Sequence, residues 1–171
     1  AYLIRHTKTI PVDRQAGAEA YAHAVEALRA GEIVGVYPEA TISRSFELKE
    51  FKSGAARMAR EAQVPIVPLI VWGAQRIWTK DQPRALGRKK FPVTVAVGAP
   101  VPPDSDVDEL SSRMRAAMTE LLHDAQQGYP APPGAAWLPR RLGGSAPTPV
   151  EAARIEEAEL AERARRRGET A

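Results

Sequence analysis

The fold is decided by residues 33–45, which read Ile-Val-Gly-Val-Tyr-Pro-Glu-Ala-Thr-Ile-Ser-Arg-Ser. The first five residues form an apolar run that Pro38 closes, a pattern typical of a strand buried in a parallel sheet. The polar residues that follow leave the carboxyl end of this strand, which is where open α/β sheets place their ligands. The stretch therefore predicts a strand and a binding loop in direct succession.

Helices and strands alternate around this stretch. Apolar residues at helical spacing predict one helix that stops at Gly31, a second capped by Ser53 and a third capped by Ser105. Apolar runs predict two further strands, at residues 64–71 and 93–97. Because helices and strands alternate along the chain, we predict an α/β fold with a largely parallel sheet flanked by helices.

The composition changes after residue 128. Residues 129–149 hold six prolines and three glycines in 21 positions, which does not favour a packed core. Residues 150–171 are rich in Ala, Glu and Arg and have few apolar positions. We therefore predict a domain at residues 1–128, a Pro/Gly-rich linker at 129–149, and a charged tail at 150–171 that is helical or disordered.

The overall composition excludes several classes of protein. The 171 residues are 44% apolar, which is enough for one ordinary domain. The net charge of +3 is too small to mark a nucleic-acid binder. With no cysteine and only three scattered histidines, disulfides and thiolate or histidine-rich metal sites are disfavoured, and we expect no metal. The longest apolar stretch, residues 64–74, is too short to span a bilayer.

The polar loop carries the candidate binding groups. Residues 39–45 offer one carboxylate, three hydroxyls and one guanidinium, which suits an anionic ligand that also bears hydroxyls. Lys52 precedes a helix that begins near Gly54, where the ammonium group and the free amides favour phosphate. Arg14 stands at the exit of a further predicted strand. The alternative is that these side chains are ordinary solvated surface groups.

Four blocks of the sequence resemble the glycerolipid acyltransferases, which acylate glycerol-3-phosphate and 1-acylglycerol-3-phosphate. The blocks occur in the order of that family over about residues 1–125, at residues 10–14 (Ile-Pro-Val-Asp-Arg), 37–45, 51–55 (Phe-Lys-Ser-Gly-Ala) and 64–68 (Val-Pro-Ile-Val-Pro). Two positions depart from the family pattern. Ala40 replaces a glycine, and Ile42 stands where an arginine is expected directly after Thr41, so that Arg44 would supply this charge.

The resemblance implies a glycerol-3-phosphate acyltransferase-like fold and transfer of a fatty acyl group from acyl-CoA or acyl-carrier protein to a lysophospholipid. The favoured acceptor is 1-acylglycerol-3-phosphate, which gives phosphatidic acid, and no cofactor is needed beyond the acyl donor. In the implied substrate-binding set, three cations bind the acceptor phosphate. One carboxylate binds the glycerol hydroxyls or orients Arg44. The remaining residues support the loop and the helix terminus. The members of this set are Arg14, Arg44, Lys52, Glu39, Ala40, Thr41 and Gly54.

The family's catalytic His-x-x-x-x-Asp block is not found in this sequence. The residues five positions after His6, His23 and His123 are proline, leucine and glycine, respectively. Residues 2–4, directly after Ala1, read Tyr-Leu-Ile, which is typical of the middle of a strand. We therefore expect the C-terminal portion of a longer enzyme, inactive alone. The alternative is a non-catalytic membrane or phospholipid-headgroup binding module.

Residues 76–90 form a basic loop. It carries six basic side chains and one acidic side chain, Asp81, a local net charge of +5, and Trp72 and Trp78 lie beside it in sequence. Lysine and arginine attract anionic lipid, and tryptophan favours the membrane interface. The resemblance to the glycerolipid acyltransferases implies a peripheral protein on the cytoplasmic face of the cell membrane, and we expect this loop to rest on its anionic lipid. The alternatives are a solvated loop and a nucleic-acid site, which the scarcity of aromatic residues in the basic runs disfavours.

Overall fold

The computed structural model describes residues 17–168 apart from residues 81, 86 and 89. The described part of the chain contains four helices and two strands: α1 (Gly17–Arg29), α2 (Gly54–Ala62), β1 (Leu69–Trp72), β2 (Thr94–Val97), α3 (Val107–Gln126) and α4 (Pro149–Gly168).

Backbone contacts divide the chain into two compact units. The first unit comprises residues 17–40, Phe51–Ile70 and Ala96–Leu122. The second unit comprises Thr41–Glu50, Val71–Val95 and residues 123–168. The predicted division into domain, linker and tail, with boundaries after residues 128 and 149, stays a prediction.

The first unit contains the packing of α1 on α2. Ala24 and Val25 of α1 are buried together with Met58 of α2, as the apolar spacing predicts. α1 ends before Gly31, whose positive φ of 82° allows the next N–H, that of Glu32, to donate to the Ala27 carbonyl at 2.9 Å. The predicted first and second helices are therefore confirmed.

A second cluster in the same unit joins α2 to α3. Ala56 and Ala59 of α2 pack with Val101 and with Leu110 of α3, all of them buried. The predicted third helix is confirmed, but its cap is Asp106, not Ser105. The Asp106 carboxylate accepts hydrogen bonds from the N–H groups of Asp108 (3.0 Å) and Glu109 (2.9 Å), because it lies immediately before the first helical residue.

The predicted largely parallel sheet is wrong for the described residues, where β1 and β2 form a two-stranded antiparallel pair. Before β1 begins, Ile66 and Val101 already exchange both backbone hydrogen bonds, at 2.9 and 2.8 Å. Residues 33–37 form no strand, and Ile33 is 98% exposed. A strand requires backbone partners on a neighbouring strand, and no described residue supplies them to this segment.

The second unit contains an aromatic cluster of Trp72, Phe91, Tyr129 and Trp137, and Arg76 packs against the last three of these rings. The rings of Trp72 and Trp137 each meet that of Tyr129 edge-on, at 6.1 and 6.0 Å. The Arg76 guanidinium lies 4.7 Å from the Phe91 ring centroid and 4.5 Å from that of Trp137. Tyr129 and Trp137 belong to residues 129–149, so this proline-rich segment takes part in packing.

α4 begins with a reciprocal cap. The Thr148 N–H donates to the Glu151 carboxylate at 2.8 Å, and the Glu151 N–H donates to the Thr148 hydroxyl at 3.2 Å. The hydrogen bonds to Thr148, together with the nearby charge of Arg140, hold the pKa of Glu151 below its usual value. The carboxylate therefore stays ionised, and the cap intact, to a lower pH than for an ordinary glutamate.

Candidate functional site

Two of the sequence blocks meet in the first unit. The Lys52 N–H donates to the Pro38 carbonyl at 2.9 Å, and the Ala40 N–H donates to the Tyr37 carbonyl at 3.2 Å. The second bond closes a turn that carries Glu39, and the first bond fixes this turn beside Lys52. Glu39 is half-buried and Lys52 is exposed. A carboxylate and an ammonium group are thus held on neighbouring backbone segments at the surface of this unit.

The turn places Ala40 in a left-handed conformation. Its φ is +57°, a region in which a Cβ atom crowds the following carbonyl and which glycine occupies freely. The family pattern has glycine at this position, and the turn supplies the physical reason. Ala40 is therefore a strained substitute that keeps the same backbone shape.

Replacing Ala40 with glycine should raise the free energy of unfolding by up to about 1 kcal/mol, because the strain is removed at some cost in chain entropy. Denaturation in urea would measure the change. Ala116→Gly, at an exposed position inside α3, is the control and should lower stability by about 1 kcal/mol. Losses of equal size in both variants would contradict the strained turn.

Lys52 lies two residues before α2, which begins at Gly54. Ser53 occupies the predicted cap position, but its hydroxyl makes no cap hydrogen bond. A Cβ atom added at Gly54 would meet no other atom within 4 Å, so the backbone is open to approach there. The first turn of α2 thus presents a positive dipole end and an exposed ammonium group at the same surface.

Arg44 lies in the second unit and is 6% exposed. Its guanidinium is bound by the carboxylate of Glu159, and its Nη1 lies 3.9 Å from Oε1 of Glu156. Both glutamates belong to α4. The sequence predicts a phosphate at this arginine, whereas the structure places two carboxylates there.

Thr41, also in the second unit, has a cationic neighbour that the sequence does not reveal. The Lys80 ammonium donates to the Thr41 hydroxyl at 3.2 Å. The sequence assigns Lys80 only to the basic loop, and the two residues are separated by 39 positions. Lys80 brings a positive charge to Thr41, the residue just before the position at which the family pattern has an arginine.

Fewer residues in and beside the basic loop are exposed to solvent than the sequence predicts. Trp72 is 3% exposed, and Arg76 is half-buried in the aromatic cluster, so neither faces solvent freely. Trp78 is 62% exposed and carries the Arg84 guanidinium 4.3 Å from its ring centroid. We use the name basic surface for the exposed residues Trp78, Arg84, Arg88 and Lys90.

The predicted site residues fall in both units or outside the described part. Arg14 lies outside the described residues. Four lie in the first unit and two in the second: Glu39, Ala40, Lys52 and Gly54, then Thr41 and Arg44. Their assembly into one substrate-binding site stays a prediction.

Residues 17–168, with the three gaps named above, lack a metal-binding cluster and a helix suited to span a membrane. They contain no group of three His, Cys, Asp or Glu side chains placed to hold a metal ion. No helix in this part of the chain combines the length and the apolar composition needed to cross a bilayer. His23 and His123 are both exposed on helices.

The turn-and-helix arrangement of residues 37–54 falls inside a segment that is similar to a known protein family. Residues 1–72 match the family model described as Acyltransferase. This match confirms the resemblance carried by the four sequence blocks, all of which lie within residues 1–72.

The chain is also similar to parts of curated 1-acyl-sn-glycerol-3-phosphate acyltransferases. The 1-acyl-sn-glycerol-3-phosphate acyltransferase alpha of Homo sapiens is 33% identical over 95 residues, 53% of this chain and 32% of that protein. A 1-acyl-sn-glycerol-3-phosphate acyltransferase of Chlamydomonas reinhardtii is 27% identical over 121 residues, 71% of this chain and 36% of that protein. The chain thus spans about a third of the length of the curated relatives it matches.

A solved structure supports the fold. The crystal structure of the 1-acyl-sn-glycerophosphate (LPA) acyltransferase PlsC from Thermotoga maritima matches with a TM-score of 0.56 and 24% sequence identity. The match covers 67% of this chain and 47% of that one. At this identity the likeness shows a shared fold.

Proposed function

We propose that this chain is part of an O-acyltransferase that moves a fatty acyl group from acyl-CoA or acyl-carrier protein to a lysophospholipid hydroxyl. The acceptor we favour is 1-acylglycerol-3-phosphate, and the product is phosphatidic acid. The observation that carries the proposal is the hydrogen bond from Lys52 to Pro38, because it sets the Glu39 turn beside Lys52 inside the acyltransferase-family segment.

The reaction assigns distinct tasks to these groups. The acceptor oxygen attacks the thioester carbonyl, the thiolate leaves, and a base takes the hydroxyl proton and returns it to the thiolate. Lys52 and the first amides of α2 offer positive charge to the acceptor phosphate. Glu39 offers a carboxylate to a glycerol hydroxyl, and Arg14, Thr41, Arg44 and Ala40 complete the proposed binding set. The residues named here bind and orient the acceptor, and none of them is assigned as the base.

The proposal is tested on the longer protein that contains this chain. Purified protein is incubated with 1-acylglycerol-3-phosphate and either acyl-CoA or acyl-carrier protein, with no added metal, and phosphatidic acid is quantified. Formation of the product with one donor supports the proposal and identifies that donor. Binding of the lysophospholipid without acylation by either donor would instead favour the headgroup-binding module.

We propose further that the protein works at the periphery of the membrane, on its cytoplasmic face. The basic surface supports this proposal, because it combines an exposed tryptophan with clustered positive charge.

Reversing the charge of Arg88, Lys89 and Lys90 by substitution with glutamate should reduce co-flotation with anionic vesicles by at least about tenfold, since each basic residue contributes on the order of 1 kcal/mol. The matched control reverses three arginines on α4: Arg163, Arg165 and Arg166. Similar flotation of the two variants would show that this loop does not bind the vesicle.

A further inference from the structure

α4 presents two carboxylates to the loop at residues 41–50. The helix and the loop both lie in the second unit. Glu156 and Glu159 are three positions apart and share one face of the helix. Glu159 binds Arg44, and Glu156 binds Lys49 while lying 3.9 Å from the Arg44 guanidinium. We call these four residues the α4 clamp.

The clamp is largely withheld from water. The side chain of Arg44 is 6% exposed, and those of Glu156, Lys49 and Glu159 are 19%, 27% and 34% exposed. Two positive and two negative charges therefore balance each other in a partly desolvated environment, where charge pairs interact more strongly than in water. An anion that binds Arg44 would therefore compete with the two glutamates for its guanidinium.

The rest of α4 has little apolar anchoring. Of its described side chains only Ala152 is buried, whereas Val150, Ile155 and Leu160 are exposed. Its first turn is held by the reciprocal cap and by an ion pair between Arg140 and Glu151 at 3.1 Å. The middle of the helix is thus attached mainly through charge, and releasing it would expose little apolar surface.

We propose that α4 is an autoinhibitory strap, in which Glu156 and Glu159 occupy Arg44 and Lys49 and compete for them with phosphate monoesters. A phosphate monoester carries up to two negative charges, as many as the two carboxylates together, and it matches the guanidinium fork equally well. The exchange would keep the site neutral and release the helix. The proposal rests on the proposed function only in taking a glycerophosphate as the physiological competitor.

The test measures the affinity for sn-glycerol 3-phosphate by calorimetric titration. The variant Glu156→Gln/Glu159→Gln removes the competing charges and should bind about tenfold more tightly than the wild-type protein. The control Glu157→Gln/Glu162→Gln removes the same charge from α4 outside the clamp and should bind like the wild type. Unchanged or weaker binding by the clamp variant, or no binding by any of the proteins, would overturn the strap.

Hydrogen exchange on the wild-type protein avoids any effect of the substitutions on folding. With saturating glycerol 3-phosphate or inorganic phosphate, the α4 amides around residues 156–160 should exchange faster than in sodium chloride of equal ionic strength. The amides of α3 should be unaffected, and equal exchange of α4 in phosphate and chloride would contradict the proposal. The acylation assay tests the proposed function separately. If phosphate releases α4 but no acyl transfer is found, the proposed acyltransferase function is wrong and the strap stands. If acyl transfer is found but phosphate does not release α4, the strap is wrong and the proposed function stands.

Discussion

Glu39→Ala in the longer protein should lower the rate of phosphatidic acid formation by about 100-fold, a typical cost of misplacing a substrate by about 1 Å. The Lys52–Pro38 hydrogen bond is made by backbone atoms, so the turn itself should survive the substitution. The loss should therefore fall mainly on kcat, because the acceptor still binds but its hydroxyl is poorly oriented. Steady-state kinetics with varied acceptor concentration would separate kcat from KM.

Arg14→Ala, tested in the same assay, should raise the KM for the acceptor by about 10-fold or more, as expected when a charge-assisted hydrogen bond is lost. Glu32→Ala is the matched control, since Glu32 is an exposed carboxylate of the same unit as Glu39. All three variants should keep the far-UV circular dichroism of the wild type. Turnover close to wild type in both Glu39→Ala and Arg14→Ala would remove the site assignment.

The helices were predictable because their determinants are local. Ala24 and Val25 are buried in α1 as the spacing requires, and Gly31 adopts the positive φ that a stop signal needs. The cap of α3 is one residue later than predicted, because Ser105 and Asp106 are both good capping residues and only the helix register selects between them.

The sheet was not predictable in the same way, because strand pairing depends on distant partners. In β1, the buried residues Ile70 and Trp72 alternate with Leu69 and Val71, which are 49% and 47% exposed. Apolar residues on both faces are typical of a strand covered on two sides, so this run did not contradict the parallel sheet that the alternation of helices and strands predicts. The composition of a strand shows which side chains it is able to bury. Which of them are buried depends on the elements that pack against the strand.

The candidate site shows the same limit at the level of side chains. The sequence places Arg44 in a polar loop and correctly marks it as a strong anion-binding group. Its carboxylate partner Glu159 lies 115 positions away, and no local pattern connects the two. Lys80 and Thr41 are likewise joined only by the fold. Residue types were therefore informative about chemistry, and the identity of each partner required the structure.

Gly73→Ala should destabilise the second unit by about 3 kcal/mol or more, because a strained φ and a steric clash combine at one position. Gly73 has φ +104°, and an added Cβ atom would lie 2.3 Å from the Pro92 carbonyl oxygen and 2.6 Å from the Tyr129 hydroxyl. That hydroxyl donates to the same carbonyl at 2.6 Å. Both atoms would have to move, and the hydrogen bond that joins them in the aromatic cluster would be lost.

Gly134→Ala separates the cost of the strained φ from the cost of the steric clash. Gly134 also has a positive φ, +73°, but a Cβ atom added there would meet nothing within 4 Å. This variant should lose only about 1–2 kcal/mol, the cost of the backbone conformation alone. Denaturation followed by tryptophan fluorescence is suitable, because Trp72 and Trp137 belong to the cluster that the clash disturbs. Equal losses for the two variants would mean that Gly73 is not packed against Tyr129 and Pro92, and that the cluster does not depend on this close approach.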